Sequence, residues 1–252
     1  MKNRHSIVMA LIVLSSFGCQ QSKKQDVPVQ PQEKIEIKTG DNTLTSQEKI
    51  DGWQLLFDGQ KIDQWHKYNG TTVNKNWTIA DNAIHFNPDF ADGGDLTSNL
   101  AYTNFELTLD WKIQECGNSG IMLNVNESYD YQHPWLTGPE MQVLDDSCHP
   151  DGKIQKHRAG DLYDLIECTQ KTVKAAGEWN SIKIVSNNAK YEFWQNEIKV
   201  VSFEMHTPEW KAMVASSKFK DMPDFGKYRK GKIVLQDHAD RVWYKNIKIK
   251  TL

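Results

Sequence analysis

The chain has 252 residues, of which 30 are Lys or Arg and 33 are Asp or Glu, giving a formal net charge of −3 at pH 7. This near balance, with no basic stripe along the sequence, excludes nucleic acid as an expected partner. The length suits one sizeable domain with its own hydrophobic core, preceded by a separate N-terminal segment.

The N-terminus has the pattern of an export signal. Lys2 and Arg4 precede an apolar stretch at residues 7–14, and the segment SSFG at residues 15–18, which ends in a small residue, leads into Cys19. A cysteine at the end of such a stretch resembles the bacterial lipoprotein signal. We therefore expect a signal peptide over residues 1–18, lipidation of Cys19, and an exported lipoprotein that faces the periplasm or lies on the outer-membrane surface. Its lipid would be its only membrane attachment. The alternative is an ordinary signal peptide with a chance cysteine, which also predicts export.

The composition changes sharply near residue 49. Residues 20–48 are rich in Gln, Lys, Pro, Thr and Ser and contain no aromatic residue, whereas all nine tryptophans lie between Trp53 and Trp243. Such a polar segment cannot bury enough apolar surface to offset the entropy lost on ordering it. The sequence therefore predicts a flexible tether over residues 19–48 and one folded domain over residues 49–252.

Short β-rich segments separated by Gly, Asn and Asp fill the folded domain. Most alternate polar and apolar residues, which predicts half-buried strands, and their regular spacing favours an antiparallel β-sandwich. Thr207 as N-cap and Pro208 as first helical residue predict one short surface helix. The predicted strands are residues 53–57, 77–79, 83–86, 105–113, 120–125, 140–144, 162–166, 181–185, 190–194, 199–203, 232–236 and 242–249.

Three cysteines follow Cys19, so the domain can hold at most one disulfide. An exported protein permits such a bond. Cys148 and Cys168 bracket a loop and a predicted strand, and we expect these two to pair. The alternative is that Cys116, Cys148 and Cys168 are all buried thiols that act as small apolar residues.

The segment over residues 138–146 holds the first candidate for chemistry. Alternation along the strand puts Glu140 and Gln142 on one face and Met141 and Val143 on the other. On a concave face, the carboxylate could accept a proton and the amide could bind sugar hydroxyls. The alternative is a solvated outer face without a function.

Two further segments carry histidines. His157 and Asp161 are candidates for ligands of a divalent cation, although Asp and His next to Pro and Gly also make good turns, the interpretation that we favour. Gln236 and His238 share a face at the end of a predicted strand, where a histidine can act as acid or base near neutral pH. A histidine at a strand end is more often merely a structural residue. Trp243 opens the next strand.

The standard catalytic motifs are absent from the sequence. The sequence contains no P-loop, no dinucleotide-binding fingerprint, no CxxC pair and no HExxH. The segment GNSG at residues 117–120 lacks the spacing of the nucleophile elbow of serine hydrolases.

An ordered set of motifs nevertheless resembles one family, the 3-keto-disaccharide hydrolases, long catalogued only as a domain of unknown function (number 1080). The resemblance covers residues 51–250. It implies a concanavalin-like jelly-roll β-sandwich, and the signal and tether are similar to those of Bacteroidetes lipoproteins. The motifs are LLFDGQKIDQW at 55–65, GNSGIMLN at 117–124, PEMQVLD at 139–145, AGDLYDLI at 159–166, GEWN at 177–180 and IVLQDH at 233–238.

The resemblance implies cleavage of glycosides that carry a ketone at carbon 3. The ketone acidifies the hydrogen on carbon 2, so a base can remove it, the aglycone leaves from carbon 1, and water then adds to the unsaturated sugar. Such a site needs a base, a group that stabilises the enolate and a proton donor to the leaving oxygen.

Strand alternation and this chemistry, rather than family residues, supply the roles. Glu140 or His238 is the candidate base. A divalent cation that stabilises the enolate is possible, with His157 and Asp161 as candidate ligands. The candidate substrate contacts are Gln142 and Gln236 as donors, Trp243 and Trp135 as stacking platforms, and Tyr163 and His133 as second-tier residues near the leaving group.

Two other functions fit parts of this pattern. A tethered jelly roll with a polar concave face and aromatic residues could capture glycans without cleaving them. A laminarinase-like glycosidase shares the fold but needs two catalytic acids spaced Glu-x-Asp-x-x-Glu or Glu-x-Asp-x-Glu on one strand. Here Glu140 is followed by Gln142, Leu144 and Asp145, so the second glutamate is missing.

Overall fold

Two antiparallel β-sheets face each other across an apolar layer in the computed structural model, which describes residues 40–252. The larger sheet has the strand order β11-β10-β9-β6-β13-β4-β3, and β1 also pairs with β13. Its strands are β1 (Gln54–Leu55), β3 (Trp77–Ala80), β4 (Ala83–Phe86), β6 (Phe105–Ile113), β9 (Asn180–Asn187), β10 (Lys190–Gln195), β11 (Ile198–Glu204) and β13 (Val242–Thr251).

The smaller sheet has the strand order β2-β5-β12-β7-β8. Its strands are β2 (Trp65–Lys67), β5 (Leu96–Tyr102), β7 (Asn118–Val125), β8 (Glu140–Leu144) and β12 (Gly231–Leu235). Strands β7 and β8 are buried along their whole length. Because an antiparallel sheet commonly has one face in water, this burial shows that other parts of the chain cover the outer face of the smaller sheet.

The core follows from the period-2 alternation of the strands. In β6, buried residues alternate with partly exposed ones from end to end, and Leu107 and Trp111 are almost wholly buried. Full burial of a large apolar side chain contributes about 1.5–3 kcal/mol. Strands β7, β8 and β12 contribute their inner-face residues to the same core. The predicted all-β sandwich of jelly-roll type is confirmed.

The prediction missed two strands and added one. Strand β2 has only three residues, and β5 contains the exposed Asn99 and Leu100 beside an irregularity in its register, which breaks the expected alternation. Residues 162–166, predicted as a strand, form only isolated bridges at Leu162, because the chain turns back at Asp164 with a positive φ of 59°.

Two short α-helices lie outside the sheets. Helix α2 (Pro208–Ala215) begins as predicted, since the Thr207 side chain accepts a hydrogen bond from the backbone N–H of Trp210. Helix α1 (Ser46–Ile50) was not predicted. Thr45 and Glu48 cap it reciprocally, and Lys248 of β13 lies 2.6 Å from Glu48.

The folded unit begins earlier than residue 49. Asn42 is buried and exchanges hydrogen bonds with Asn246, at 2.6 Å and 2.8 Å. Residues 40–48 were predicted to belong to the tether, because polar side chains rather than buried apolar ones hold them in place. The predicted signal peptide, Cys19 and the rest of the tether lie outside the described residues. Within residues 40–252, no helix is long and apolar enough to cross a membrane.

The disulfide prediction was wrong. Cys116 pairs with Cys148, and Cys168 is a buried free thiol. Asn118 at the start of β7 lies opposite Leu144 at the end of β8, so the chain just before β7 meets the chain just after β8. The Cα atoms of Cys116 and Cys148 are consequently 4.6 Å apart.

Candidate active site

A pocket of about 310 Å³ lies on the outer face of the smaller sheet. Its floor is formed by strands β7, β8 and β12, and its wall by the turn that contains Tyr163 and by the segment that follows α2. The lining residues are Asn118, Trp135, Glu140, Gln142, Tyr163, Lys218, Phe219, Met222, Gln236 and His238.

Strand pairing brings three polar residues to the floor. Gln142 lies opposite Gly120, and the backbone N–H of Gln236 donates to the carbonyl oxygen of Gly120 at 2.9 Å. Glu140, two residues before Gln142, has its side chain on the same face. Met141, between them, packs into the core. The structure thus places Glu140, Gln142 and Gln236 together.

The Glu140 carboxylate occupies the space left by a glycine. The residue is 7 % exposed, and a Cβ atom at position 120 would overlap its Oε1 oxygen. We assign the Gln142 amide with its nitrogen toward the floor, where it lies 3.1 Å from Glu140 Oε1 and 2.9 Å from the carbonyl oxygen of Ser119 and can donate to both.

Burial sets the proton affinity of this carboxylate. Loss of hydration raises the pKa of Glu140 from 4.5 to about 8, with smaller contributions in the same direction from Asp95 and Asp151, while Lys218 opposes the increase. A base of this strength near neutral pH suits proton abstraction.

The wall of the pocket comes from two separate segments. The backbone N–H of Tyr163 donates to the Glu140 carbonyl oxygen at 3.0 Å, and its hydroxyl donates to Asp151 at 3.4 Å. Burial raises the pKa of Tyr163 above its ordinary value. Lys218 begins a short 3₁₀ helix, Lys218–Asp221, and its Nζ lies 3.8 Å from the centre of the Tyr163 ring. The backbone N–H of Lys218 donates to Asp164 at 2.8 Å.

His238 lies at the mouth of the pocket and is exposed. Hydrogen bonds hold the loop on either side of it: Asp237 N–H donates to the buried Asp95 carboxylate at 2.9 Å, and Asn118 N–H donates to Asp240 at 2.9 Å. The pKa of Asp95 is raised to about 7 by burial. His238 is therefore accessible to solvent, whereas Glu140 is enclosed.

Of the two predicted stacking tryptophans, only Trp135 lines the pocket. His133 does not line it but stacks on the Trp135 ring, with 4.1 Å between ring centres. Trp243 is on the outer face of the larger sheet, stacked on His85 at 4.6 Å and beneath Lys112. Its neighbours in the strand, Val242 and Tyr244, point into the core, so the Trp243 side chain points away from the smaller sheet. The prediction that Trp243 stacks on the substrate is therefore wrong.

The candidate metal ligands do not converge. His157 lies between Asp151 and Asp164, at 3.3 Å and 3.1 Å. Asp161 is wholly buried, and its two oxygens accept backbone N–H groups of Arg158 and Cys168, at 2.8 Å and 2.7 Å. These side chains stabilise turns, the alternative that the sequence favoured.

Another grouping of potential ligands is already bonded. Within residues 40–252, the only cluster of three such groups is Glu115 with Cys116 and Cys148, and its two sulfur atoms form the disulfide.

Sequence reasoning missed four lining residues: Asn118, Lys218, Phe219 and Met222. Asn118 lies in a strand that we predicted to begin at residue 120. The other three follow a helix that we expected only to pack on the surface, and no spacing in the sequence shows that the chain after this helix returns over the smaller sheet.

Residues 52–250 match a family described as the 3-keto-alpha-glucoside-1,2-lyase-like domain. The chain belongs to this family. The predicted resemblance to 3-keto-disaccharide hydrolases is thereby confirmed. The chain is also 34% identical over 229 residues to a 3-keto-disaccharide hydrolase of Bacteroides thetaiotaomicron, covering 80% of this chain and 79% of that protein.

Solved structures agree with this family membership. A crystal structure from Parabacteroides distasonis ATCC 8503, described as a candidate glycosyl hydrolase, is 36% identical with a TM-score of 0.78 and covers 84% of this chain and 100% of its own. A second structure from that organism with the same description is 23% identical, with a TM-score of 0.60, covering 79% and 99%. The second likeness supports the fold alone.

Proposed function

We propose that this protein cleaves glycosides that carry a ketone at carbon 3 of the sugar, with Glu140 as the base. Family membership and the relative named for 3-keto-disaccharide hydrolysis support the substrate class. The observation that carries the catalytic assignment is a carboxyl group buried on the floor of a pocket lined by amides and an indole, where loss of hydration raises its pKa to about 8.

The reaction proceeds in two stages. The Glu140 carboxylate takes the hydrogen from carbon 2, and the electron pair moves onto the ketone oxygen as an enolate. When that pair returns, a double bond forms between carbons 1 and 2, and the aglycone oxygen leaves carbon 1 and takes up a proton. Water then adds across the double bond, so the net reaction is hydrolysis.

Glu140 suits the role of base better than His238. The floor position puts its carboxylate beneath any sugar in the pocket, next to the Gln142 amide. His238 is exposed at the mouth, where it can supply a proton to the leaving oxygen. Gln142 and Gln236 bind ring hydroxyls in this proposal, and Trp135 stacks on a sugar ring.

The pocket does not resemble that of a conventional glycosidase, which needs two carboxyl groups on either side of the scissile bond. Among the lining residues that the structure describes, Glu140 is the only one with a carboxyl group. An elimination from an activated ketone needs only one.

The test is to follow aglycone release from a 3-keto glucoside and from its unoxidised parent, with and without EDTA. Release from the keto compound alone supports the proposal, and loss of release with EDTA adds a divalent cation to it. Release from the parent would indicate a conventional glycosidase. Sugar binding without release from either compound would indicate a binding module. Glu140→Gln should bind the keto sugar but release no aglycone.

Export and lipid attachment through Cys19 are proposed from the sequence. The test is metabolic labelling with a radioactive fatty acid in cells that express the full chain or its Cys19→Ser variant. Label in the wild-type chain alone supports the proposal, and equal label in both contradicts it.

A further inference from the structure

We infer that Lys218 is a catalytic residue whose ammonium group stabilises the negative charge on the ketone-derived oxygen of the enolate. This inference rests on the proposed function and deepens it, because it names the group that makes proton removal by Glu140 feasible.

The first observation is the position of Lys218 across the pocket from the floor. Glu140 belongs to the sheet, whereas Lys218 belongs to the 3₁₀ helix that forms part of the wall. The backbone of Lys218 is fixed by its hydrogen bond to Asp164, and Ser217 caps the same short helix through the N–H of Phe219. A substrate in the pocket therefore lies between a base on one side and a cation on the other.

The second observation is that this cation has no ion-pair partner. Within the described part of the chain, no carboxylate oxygen lies within 4.0 Å of its Nζ. Its neighbours are aromatic: the ring centres of Tyr163 and Phe219 are 3.8 Å and 5.3 Å away. The Asp164 carboxylate already accepts from His157 and from the Lys218 backbone. Among the described residues the ammonium donates no hydrogen bond, so it can donate to a ligand in the pocket.

The electrostatic setting agrees with this geometry. Lys218 is a residue at the pocket mouth with a solvent-accessible side chain, yet the surrounding protein partly desolvates its ammonium and lowers its pKa, against the opposing influence of Glu140, Asp164 and Asp151. Lys218 in turn holds the pKa of Glu140 below the value that burial alone would give. Each group therefore shifts the pKa of the other, as expected for a carboxyl group and an ammonium group that line the same pocket.

The chemistry uses the ammonium without consuming it. When carbon 2 loses its hydrogen to Glu140, the electron pair arrives on the oxygen at carbon 3, and a Lys218 N–H donates a charge-assisted hydrogen bond to that oxygen. The bond weakens when the electron pair returns and the aglycone departs. Lys218 begins and ends the cycle protonated, and it forms no covalent bond to the sugar.

Three variants test the inference. Lys218→Met removes the charge, Lys218→Arg keeps it, and Lys220→Met is the matched control because Lys220 is an exposed lysine of the same 3₁₀ helix that does not line the pocket. Thermal melting of each variant excludes unfolding as the cause of any loss. The assays are aglycone release from a 3-keto glucoside as a function of pH, and exchange of the carbon-2 hydrogen for deuterium in a 3-keto sugar that lacks a leaving group.

Lys218→Met should lower both kcat and the exchange rate by about 10²–10³-fold, the usual effect of removing one donor to an oxyanion, with KM changed less than about threefold. Lys218→Arg should keep at least a tenth of the rate and lose any decline of kcat at alkaline pH that comes from lysine deprotonation, because a guanidinium does not titrate there. Lys220→Met should match the wild type.

Several outcomes would overturn the inference. A folded Lys218→Met variant within threefold of wild type in both assays excludes the role. So does a Lys218→Arg variant as inactive as Lys218→Met together with a sugar adduct on Lys218 trapped by cyanoborohydride, because that result indicates an imine. A wild-type protein that neither releases aglycone nor exchanges the carbon-2 hydrogen removes the proposed function itself. Exchange without release contradicts only the expulsion step of that function and leaves the Lys218 test intact.

Discussion

Replacing Gly120 with Ala tests whether the space above this strand position exists for the Glu140 carboxylate. A Cβ atom at Gly120 would overlap Oε1, Cδ and Cγ of Glu140. The backbone at Gly120 does not have a positive φ, so alanine is tolerated conformationally and the substitution acts through this contact. The added methyl group must displace the carboxylate or separate strands β7 and β8.

The expected costs follow from overpacking and from displacement of the base. Inserting a methyl group into a packed site costs about 1–3 kcal/mol of unfolding free energy. A displacement of about 1 Å at a reacting group can lower kcat about 10²-fold. The assays are urea unfolding followed by tryptophan fluorescence, and aglycone release from a 3-keto glucoside.

A double-mutant cycle isolates the contact. In a Glu140→Ala background the side chain that the new Cβ atom would overlap is absent. Alanine at position 120 should then be neutral or stabilising by up to about 1 kcal/mol, since glycine weakens a strand by roughly that amount. Gly40→Ala is the control because a Cβ there would meet no atom within 4 Å. An equal cost of Gly120→Ala in both backgrounds, or an activity within threefold of wild type, would refute the reasoning.

Three further outcomes follow from the structure. Burial raises the pKa of Glu140 from 4.5 in the unfolded chain to about 8 in the folded protein. The wild type should therefore lose stability relative to Glu140→Gln as the pH rises from 4.5 to 8, by no more than about 5 kcal/mol. Urea titrations at pH 5 and pH 8 measure the difference in unfolding free energy between the two proteins, and an equal difference at both pH values would contradict this prediction. Replacing Cys116 and Cys148 with Ser should lower the unfolding free energy by about 3–4 kcal/mol under non-reducing conditions, because the disulfide joins residues that are 32 positions apart in the sequence. A loss under 1 kcal/mol would contradict a stabilising role of this disulfide. Trp135→Ala should raise KM for the keto sugar at least about fivefold, since stacking on a ring contributes on the order of 1 kcal/mol or more. Trp243→Ala should leave kcat/KM within twofold, and comparable losses in both variants would contradict the placement of Trp243.

Strand alternation is the reason that the floor of the site could be predicted. A period of two fixes which residues share a face, so Glu140 and Gln142 had to point the same way, and the sandwich itself followed from the repeated pattern. Alternation does not say which sheet a strand belongs to, or whether a face turns toward the other sheet or away. Trp243 shows this limit, because its strand lies in the larger sheet and its side chain lies outside the site.

The disulfide pairing could not be predicted because it depends on which strand ends meet in space. The disulfide joins the two ends of the β7–β8 hairpin, and the short distance between Cys116 and Cys148 arises from the pairing of Asn118 with Leu144. Cys168 is closer to Cys148 in sequence but belongs to a turn held by Asp161. No local pattern of residues distinguishes these arrangements.

The covering segment after α2 connects the fold to the chemistry. The outer face of an antiparallel sheet would ordinarily be hydrated, and a hydrated glutamate keeps a pKa near its ordinary value and is a weak base. Phe219 is buried over the pocket and stacks on Phe225, with 3.9 Å between ring centres. Loss of hydration is the largest cause of the raised pKa of Glu140, which lies on the floor of the same pocket. The same short helix carries Lys218. The same segment therefore lines the pocket that encloses the base and supplies the cation opposite it, and Lys218 moderates the increase in the pKa of Glu140 that burial causes.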